Sequence, residues 1–144
     1  MSEVVDLGQV RGARLVELTS IVAENGSLVV GQNPDQLPFT VRRIFTLFGI
    51  PAGEVRGTHA HRQCEQFLIC LRGTVTAGVD DGAYRAEVVL DRPSAGLYMP
   101  TLTWGMQYEY SPDAVLVVLA SDPYDADDYI HDYEEFVTLA AAAR

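Results

Sequence analysis

Lysine is missing from this 144-residue sequence, and all ten basic residues are arginines. Positive charge is scarce as well, because 20 acidic residues leave a formal net charge of −10. Nucleic acid normally binds to a basic face, so this balance excludes it as an expected partner. An arginine guanidinium can make paired hydrogen bonds with phosphate or carboxylate, which leaves a small anionic ligand open. Codon usage is the simpler and favoured reason for part of the arginine excess.

Cysteine and long hydrophobic runs are also rare. Cys64 and Cys70 lack the paired spacing of a zinc site or a disulfide framework, and we expect two buried free thiols. No stretch approaches the ~18 consecutive apolar residues that would predict a membrane span, and the first residues do not resemble a secretory leader. These absences predict a cytoplasmic protein that does not enter a membrane.

The sequence does contain many short apolar runs separated by glycine and proline turns, which is typical of an all-β sandwich, barrel or jelly roll. The length favours a single domain over residues 1–144. An Asn25-Gly26 turn predicts an N-terminal hairpin over about 13–31, because this dipeptide accepts positive φ angles. Further strands are predicted over 41–50, 65–71, 74–79, 84–90, 97–99, 104–110 and 114–120.

The C-terminal part has a different pattern. Asp132 is a helix cap with a glutamate three residues later, and apolar residues follow at helical spacing, so we expect a short helix over about 132–142. The acidic run over 122–135 is most simply a solvated surface.

The segment over 53–73 carries the strongest functional signal. His59 and His61 are two residues apart ahead of an apolar strand, and alternate residues of an extended chain face the same side. We therefore expect both imidazoles to project together into one site. The third histidine, His131, lies in the acidic run and is expected on the surface.

The spacing around this pair resembles the first motif of the cupins: Gly53, five residues, His59-x-His61, four residues, Gln66, six residues, Gly73. Metal-binding cupins usually carry glutamate at the Gln66 position and a further histidine where this chain has Gly105. Glu65 is one residue out of register, which turns it to the opposite face of a strand. Two imidazoles and a neutral amide are a poor ligand set, so we expect no metal and no cofactor.

Neighbouring segments extend the resemblance over most of residues 41–136. They are R-R-I-F-T-L-F, R-G-T-H-A-H-R, L-D-R-P-S-A-G-L-Y-M-P and V-L-V-V-L-A-S-D-P-Y-D-A-D-D-Y-I-H-D-Y-E-E-F. Together they resemble the cupin-type sugar 3,4-ketoisomerases that act on dTDP-4-keto-6-deoxyglucose. The resemblance implies a cupin jelly-roll barrel and a metal-free isomerase that moves the ketone from C4 to C3 in deoxysugar biosynthesis. It also implies a homodimer that exchanges N-terminal strands.

The residue types suit this chemistry independently. Moving a ketone to the adjacent carbon requires removal of the C3 proton, an enediolate, and return of a proton to C4, and histidine can take and give protons near neutral pH. One of His59 and His61 is the expected base and the other a donor or shuttle; the sequence does not say which. Arg56, the second imidazole and Gln66 are the nearest candidates to stabilise the oxyanion.

Other candidates concern the rest of the substrate. Arg43 and Arg56 either bind the diphosphate or pair with acids. Tyr98 and Trp104 either stack on thymine or belong to the core, and the core is favoured for Trp104.

The sequence departs from the family pattern at four positions. Relatives often have tyrosine where this chain has Phe45 and Phe48, so a phenolic hydroxyl is missing there. Gly105 replaces a bulky basic residue, and Asn25 also stands where a basic residue is expected. If Asn25 and Gly105 shape the sugar site near C4, they bear on the stereochemistry of the product.

Three alternatives stay open. A nucleotide-sugar 3,5-epimerase of similar fold would require a His–Asp pair and a catalytic tyrosine, and the sequence alone identifies neither. A metal-dependent cupin oxygenase would require bound metal. A cupin that binds a sugar nucleotide without turnover is the non-enzymatic alternative.

Overall fold

A computed structural model describes residues 2–144, which form thirteen strands and one α-helix. The helix, α1, spans Tyr133–Ala142. The strands are β1 Glu3–Val4, β2 Arg14–Glu17, β3 Thr19–Ala23, β4 Gly26–Val30, β5 Arg43–Phe48, β6 Arg56–His61, β7 Gln66–Arg72, β8 Val75–Asp80, β9 Tyr84–Leu90, β10 Ala95–Met99, β11 Trp104–Tyr108, β12 Val115–Ala120 and β13 Tyr129–Ile130.

Two main sheets form the jelly roll. One has six strands in the order β1-β9-β8-β11-β6-β13, and the other has five in the order β2-β10-β7-β12-β5. The strand pairings are antiparallel except for the parallel β1–β9 pair. This architecture confirms the expected all-β cupin-type fold with a short C-terminal helix.

Alternating side chains create the core between the sheets. In β5 the residues alternate between exposed and half-buried, so Phe45 and Leu47 face inward while Ile44 and Phe48 face solvent. Leu68, Leu97 and Leu116 from the same sheet are fully buried. Burial of each such side chain contributes about 1.5–3 kcal/mol, so this core stabilises the frame that carries the site.

The N-terminal hairpin is confirmed, but the strand expected over 13–23 is interrupted at Leu18. Its first part, β2, pairs with β10 in the five-stranded sheet, whereas β3 pairs only with β4. Leu18 itself is buried against Leu37 and Phe39. The hairpin therefore forms a separate two-stranded sheet whose side chains are largely exposed.

The C-terminal helix begins where the sequence predicts. The side chain of Asp132 accepts hydrogen bonds from the backbone N–H groups of Glu134 and Glu135, which caps the helix. Phe136 and Ala140 are buried in a cluster with Trp104. No helix within residues 2–144 has both the length and the apolar character needed to cross a bilayer.

Candidate active site

The two histidines of β6 lie side by side. Their ring centroids are 4.9 Å apart in an edge-on arrangement. Ala60, between them in sequence, is buried in the cluster that includes Ile130 and Phe136. The strand thus separates its two faces as expected, with imidazoles on one side and helix packing on the other.

An interior cavity of about 120 Å³ opens beside His59. The positions that hold metal ligands in other cupins, Gln66 and Gly105, both line it. The remaining lining residues come from seven strands and are Phe45, Leu47, Arg56, Gly57, Leu68, Met99, Gln107, Val118 and Tyr129. The motif positions His59, Gln66 and Gly105 therefore converge on one space inside the barrel, while His61 lies beside His59 and is not among the lining residues.

A bulge in β6 sets the direction of its side chains. Gly105 and Gln107 of β11, two residues apart, pair with His59 and Arg56, which are three residues apart. The extra residue in β6 is accommodated at Gly57, whose φ of 71° is in the left-handed region that favours glycine. In a regular strand Arg56 and His59 would face opposite sides, so the bulge allows both to line the cavity.

Asp128 is the main site residue that the sequence analysis missed. Its carboxylate accepts hydrogen bonds from Nδ1 of His61 at 3.0 Å and from the backbone N–H groups of Gln63 at 2.7 Å and Cys64 at 3.2 Å. The interpretation of 122–135 as a solvated surface is wrong for this residue, because its side chain is only 11% exposed. No local pattern distinguishes Asp128 from the other acidic residues of this run.

The hydrogen bonds to Asp128 fix the tautomer of His61. An ionised carboxylate can only accept, so Nδ1 of His61 carries the proton and Nε2 keeps its lone pair. Nε2 is buried and has no hydrogen-bond partner among residues 2–144. His61 therefore offers one oriented, unused proton acceptor.

Burial keeps both imidazoles neutral. Burial is the largest of the effects that lower the pKa of His59 to about 4, and the nearby His61, His131 and Arg43 act in the same direction. Burial also lowers the pKa of His61, although the hydrogen bond to Asp128 opposes this effect. At neutral pH both rings can accept a proton, and protonated His59 would be a stronger acid than an ordinary imidazolium.

Tyr129 supplies a phenolic group at the same place. Its ring centroid lies 4.8 Å from that of His59 and 4.4 Å from that of His61. Because Phe45 also lines this cavity, Tyr129 places a hydroxyl in the space where the sequence predicted one to be missing. His131 is exposed as expected, but its ring stacks on Tyr129 and its centroid is 5.9 Å from that of His59.

Arg43 lies at the edge of this group. Its Nη1 is 3.5 Å from the hydroxyl of Tyr129, and its Nη2 is 4.0 Å from Sγ of Cys64. Its buried Nε has no hydrogen-bond partner in the described chain, residues 2–144. Arg43 therefore brings an incompletely used guanidinium to the histidines, while Arg56 contributes an exposed one to the cavity.

The donor atoms of His61, Cys64 and Asp128 lie within 4.8 Å of one another, a spacing that could hold a metal ion. Nδ1 of His61 and the Asp128 carboxylate are already joined by a hydrogen bond. The guanidinium of Arg43 beside Sγ of Cys64 would also repel a cation. The contacts of these side chains therefore favour a hydrogen-bonded group over a metal centre. Both cysteines are buried free thiols, as expected.

Three candidates lie outside the cavity of this chain. Met99 and Gly105 face the cavity, so their neighbours Tyr98 and Trp104 face the outer sides of the two sheets. Tyr98 donates a hydrogen bond to Glu65, and Trp104 packs edge-on against Tyr133, which agrees with the core position favoured for it. We therefore remove both residues from the candidate site.

Asn25, the third of these candidates, lies in the exposed turn between β3 and β4. Because that hairpin pairs with neither main sheet, Asn25 cannot line the cavity of its own barrel.

A jelly roll with a half-buried and a buried histidine side by side, and with a histidine–aspartate pair, defines a cupin-type protein with a site suited to proton transfer. Residues 11–141 match the family model described as FdtA: WxcM-like, C-terminal. The chain belongs to this family.

The names of three similar proteins state the reaction that each catalyses. A TDP-4-oxo-6-deoxy-alpha-D-glucose-3,4-oxoisomerase of Aneurinibacillus thermoaerophilus is 38% identical over 123 residues, covering 85% of this chain and 88% of that protein. The solved TDP-quinovose 3,4-ketoisomerase of Campylobacter jejuni is 35% identical with a TM-score of 0.86, covering 90% of this chain and 99% of that one.

The third is a histidine-to-asparagine variant of a 3,4-ketoisomerase from Thermoanaerobacterium thermosaccharolyticum, solved with TDP-4-keto-6-deoxyglucose. It is 28% identical with a TM-score of 0.89, covering 93% of this chain and 97% of that one.

Proposed function

We propose that this protein is a sugar-nucleotide 3,4-ketoisomerase that moves the ketone of a dTDP-linked 4-keto-6-deoxyhexose from C4 to C3. The observation that carries the proposal is the adjacent pair of half-buried His59 and buried His61, with His61 held by Asp128 and its Nε2 unused. The activities of the similar proteins support the same reaction.

His59, which lines the cavity, takes the proton from C3 in this scheme. The released electron pair forms the C3–C4 double bond, and the C4 oxygen takes up a proton. Loss of the O3 proton then forms the ketone at C3 while C4 is protonated. The sum is an internal redistribution of hydrogen, so no oxidant, reductant or cofactor is consumed.

The two imidazoles divide the proton transfers. The lowered pKa of His59 keeps it neutral before reaction and makes its protonated form able to return the proton to C4. Nε2 of His61 and the hydroxyl of Tyr129 exchange protons with the sugar oxygens. Arg56 and Gln66 stabilise the negative charge that develops on the enediolate.

Arg43 and Arg56 are the proposed diphosphate ligands. They begin two strands that are consecutive in sequence, β5 and β6, and a guanidinium binds phosphate through paired hydrogen bonds. The cytoplasm is the proposed compartment, because both cysteines are buried free thiols and thiols stay reduced there.

A homodimer is the proposed assembly. Ile44 and Phe48 on the outer face of β5 are 64% and 70% exposed, and Val22 in the separate hairpin is 78% exposed. A two-stranded hairpin is marginally stable alone, so packing against a second copy of the chain would stabilise β3–β4. Exchange of the hairpin over 13–31 between subunits would cover both apolar surfaces.

The direct test is incubation of the purified protein with TDP-4-keto-6-deoxyglucose, followed by NMR spectroscopy of the product. We expect the ketone to appear at C3, and H59N/H61N protein to leave the substrate unchanged. Persistence of the 4-keto sugar with fully folded wild-type protein would refute the proposal. Metal analysis of the same active sample tests the oxygenase alternative, and tight nucleotide binding without turnover would indicate the non-enzymatic one.

The structure gives the epimerase alternative a specific basis, because His61–Asp128 and the adjacent Tyr129 are the residue types it requires. The same NMR experiment in D₂O distinguishes the reactions. An epimerase would exchange the protons at C3 and C5 and leave the ketone at C4. A ketoisomerase would move the ketone and leave the C5 proton in place.

A further inference from the structure

Gln107 is an interior polar residue that the proposed mechanism does not use. Along β11, Trp104, Met106 and Tyr108 line a cleft on the outer face of the six-stranded sheet, whereas Gly105 and Gln107 line the interior cavity. The Gln107 side chain is therefore on the same side as His59 and Gln66.

The carboxamide of Gln107 lies against two glycines. A Cβ atom at Gly57 would lie 2.2 Å from Oε1 of Gln107, so the amide occupies the space above that glycine. A Cβ atom at Gly105 would lie 3.5 Å from Nε2 of Gln107. The amide thus borders the volume that a side chain at position 105 would fill.

The carboxamide also lacks internal partners. Gln107 is 7% exposed, and the side-chain hydrogen bonds formed within residues 2–144 include none from its amide or from that of Gln66. Both amides line the cavity, so both are free to bind a ligand or water there. Two unpartnered amides facing one cavity are suited to a ligand with several hydroxyl or carbonyl oxygens.

We propose that the Gln107 carboxamide binds the O3–O4 edge of the sugar ring and determines which face of C4 is protonated. The reaction turns a hydroxyl and a ketone into a ketone and a hydroxyl, exchanging donor and acceptor at adjacent oxygens. An amide offers both a donor and an acceptor, so it can bind the ring before and after the exchange.

This assignment rests on the proposed ketoisomerase function and specifies how it controls its product. A Cβ atom at Gly105 would lie 2.7 Å from Cε of Met99 and 3.5 Å from Nε2 of Gln107, so Gln107 contributes the nearest polar group there. A ring held through O3 and O4 in one orientation presents one face of C4 to His59, and hence gives one configuration.

The first test is binding and does not depend on turnover. Calorimetry compares TDP with unreactive TDP-glucose for wild-type protein, Q107M and the control M106L, whose side chain is on the opposite face of the same strand. We expect Q107M to weaken TDP-glucose binding at least about fivefold while TDP affinity changes less than about twofold. An unchanged ratio of the two affinities would overturn the proposal.

The second test reads the C4 configuration of the 3-keto product by NMR. We expect one configuration from wild-type protein and M106L, and a mixture from Q107M. A single unchanged configuration from Q107M, at unchanged kcat/KM, would overturn the assignment. If Q107M proves unstable on heating, Q107E is read in the same way, because it keeps the length of the side chain and removes the amide donor.

Failure of the proposed function gives a different result. Wild-type protein that forms no 3-keto sugar would refute the ketoisomerase function, and the affinity ratio would still decide whether Gln107 contacts the sugar.

Discussion

At the level of single residues, Asp128 has two structural roles. It orients His61 through Nδ1, and it ties the backbone of Gln63 and Cys64 to the C-terminal segment. A carboxylate can accept all three hydrogen bonds, whereas an amide of the same shape turns a donor toward at least one of them.

Replacement of Asp128 by asparagine should therefore affect both activity and stability. We expect D128N to lower kcat at least ~10²-fold because His61 loses its fixed tautomer. The exposed neighbour variant D127N is the control and should keep full activity. Turnover measured by NMR and thermal unfolding test this; D128N protein with wild-type kcat would contradict the role given to the pair.

His59 should make folding stability depend on pH. Its pKa is about 4 in the folded protein, well below the ordinary value of 6.5. The unfolded chain therefore binds the proton first, and stability present above pH 6.5 is lost as the pH falls toward 4.

Between pH 7.5 and 5 we expect wild-type protein to lose ~1 kcal/mol more unfolding free energy than H59N. Urea denaturation at the two pH values gives this difference, with H131N as the exposed-histidine control. Equal losses in wild-type protein and H59N would show that His59 is not held neutral by burial.

The bulge of β6 is the decisive feature at the level of elements. Gly57 is required twice, once for its left-handed φ and once because the Gln107 amide occupies its Cβ space. Gly49 has a similar φ of 64° but open space around it. Alanine at position 49 would therefore introduce backbone strain alone, whereas alanine at position 57 would introduce the same strain and a steric clash.

G49A should destabilise the protein by about 1 kcal/mol through backbone strain alone. G57A should cost clearly more and should also lower kcat/KM, because the bulge and Gln107 must shift together. Urea denaturation and product formation measure the two effects. Equal destabilisation by both variants, with normal activity, would show that the bulge tolerates a methyl group.

Local pattern predicted most of these elements. The strand over 84–90 and the helix start at Asp132 emerge from spacing and capping that act within a few residues. The break at Leu18 did not, because it depends on packing against Leu37 and Phe39. Strand β13 has only two residues and lies in an acidic run, so its pairing with β6 has no local signature.

The site also contains residues that the sequence predicted and residues that it did not. The convergence of His59, Gln66 and Gly105 follows from motif spacing, because each position belongs to the same barrel. Asp128 and Tyr129 reach the histidines only through the fold. Tyr98 and Trp104 face away from the cavity, and the sequence left their roles open because the face of a strand residue cannot be read without knowing its register.

At the level of the whole molecule, the outer face of β5 exposes Ile44 and Phe48 to solvent. This face is where the proposed dimer would form. F48E should weaken dimerisation by ~10²-fold or more, because a charge would replace a large apolar contact. V89E is the matched control, since Val89 is 58% exposed on the other sheet. Light scattering measures the mass; an unchanged dimer in F48E would exclude the β5 face from the interface.

The pairing of β13 with β6 has a consequence for how the protein is made. His61 precedes Asp128 by 67 positions. At ~5–20 residues per second, the ribosome delivers the histidine about 3–13 s before the aspartate that orients it. The barrel wall can assemble during that interval, but the proton-transfer pair cannot. Catalytic competence is thus acquired late in biogenesis, and slow docking of the C-terminal segment would reduce the fraction of active molecules without changing the kcat of those that mature.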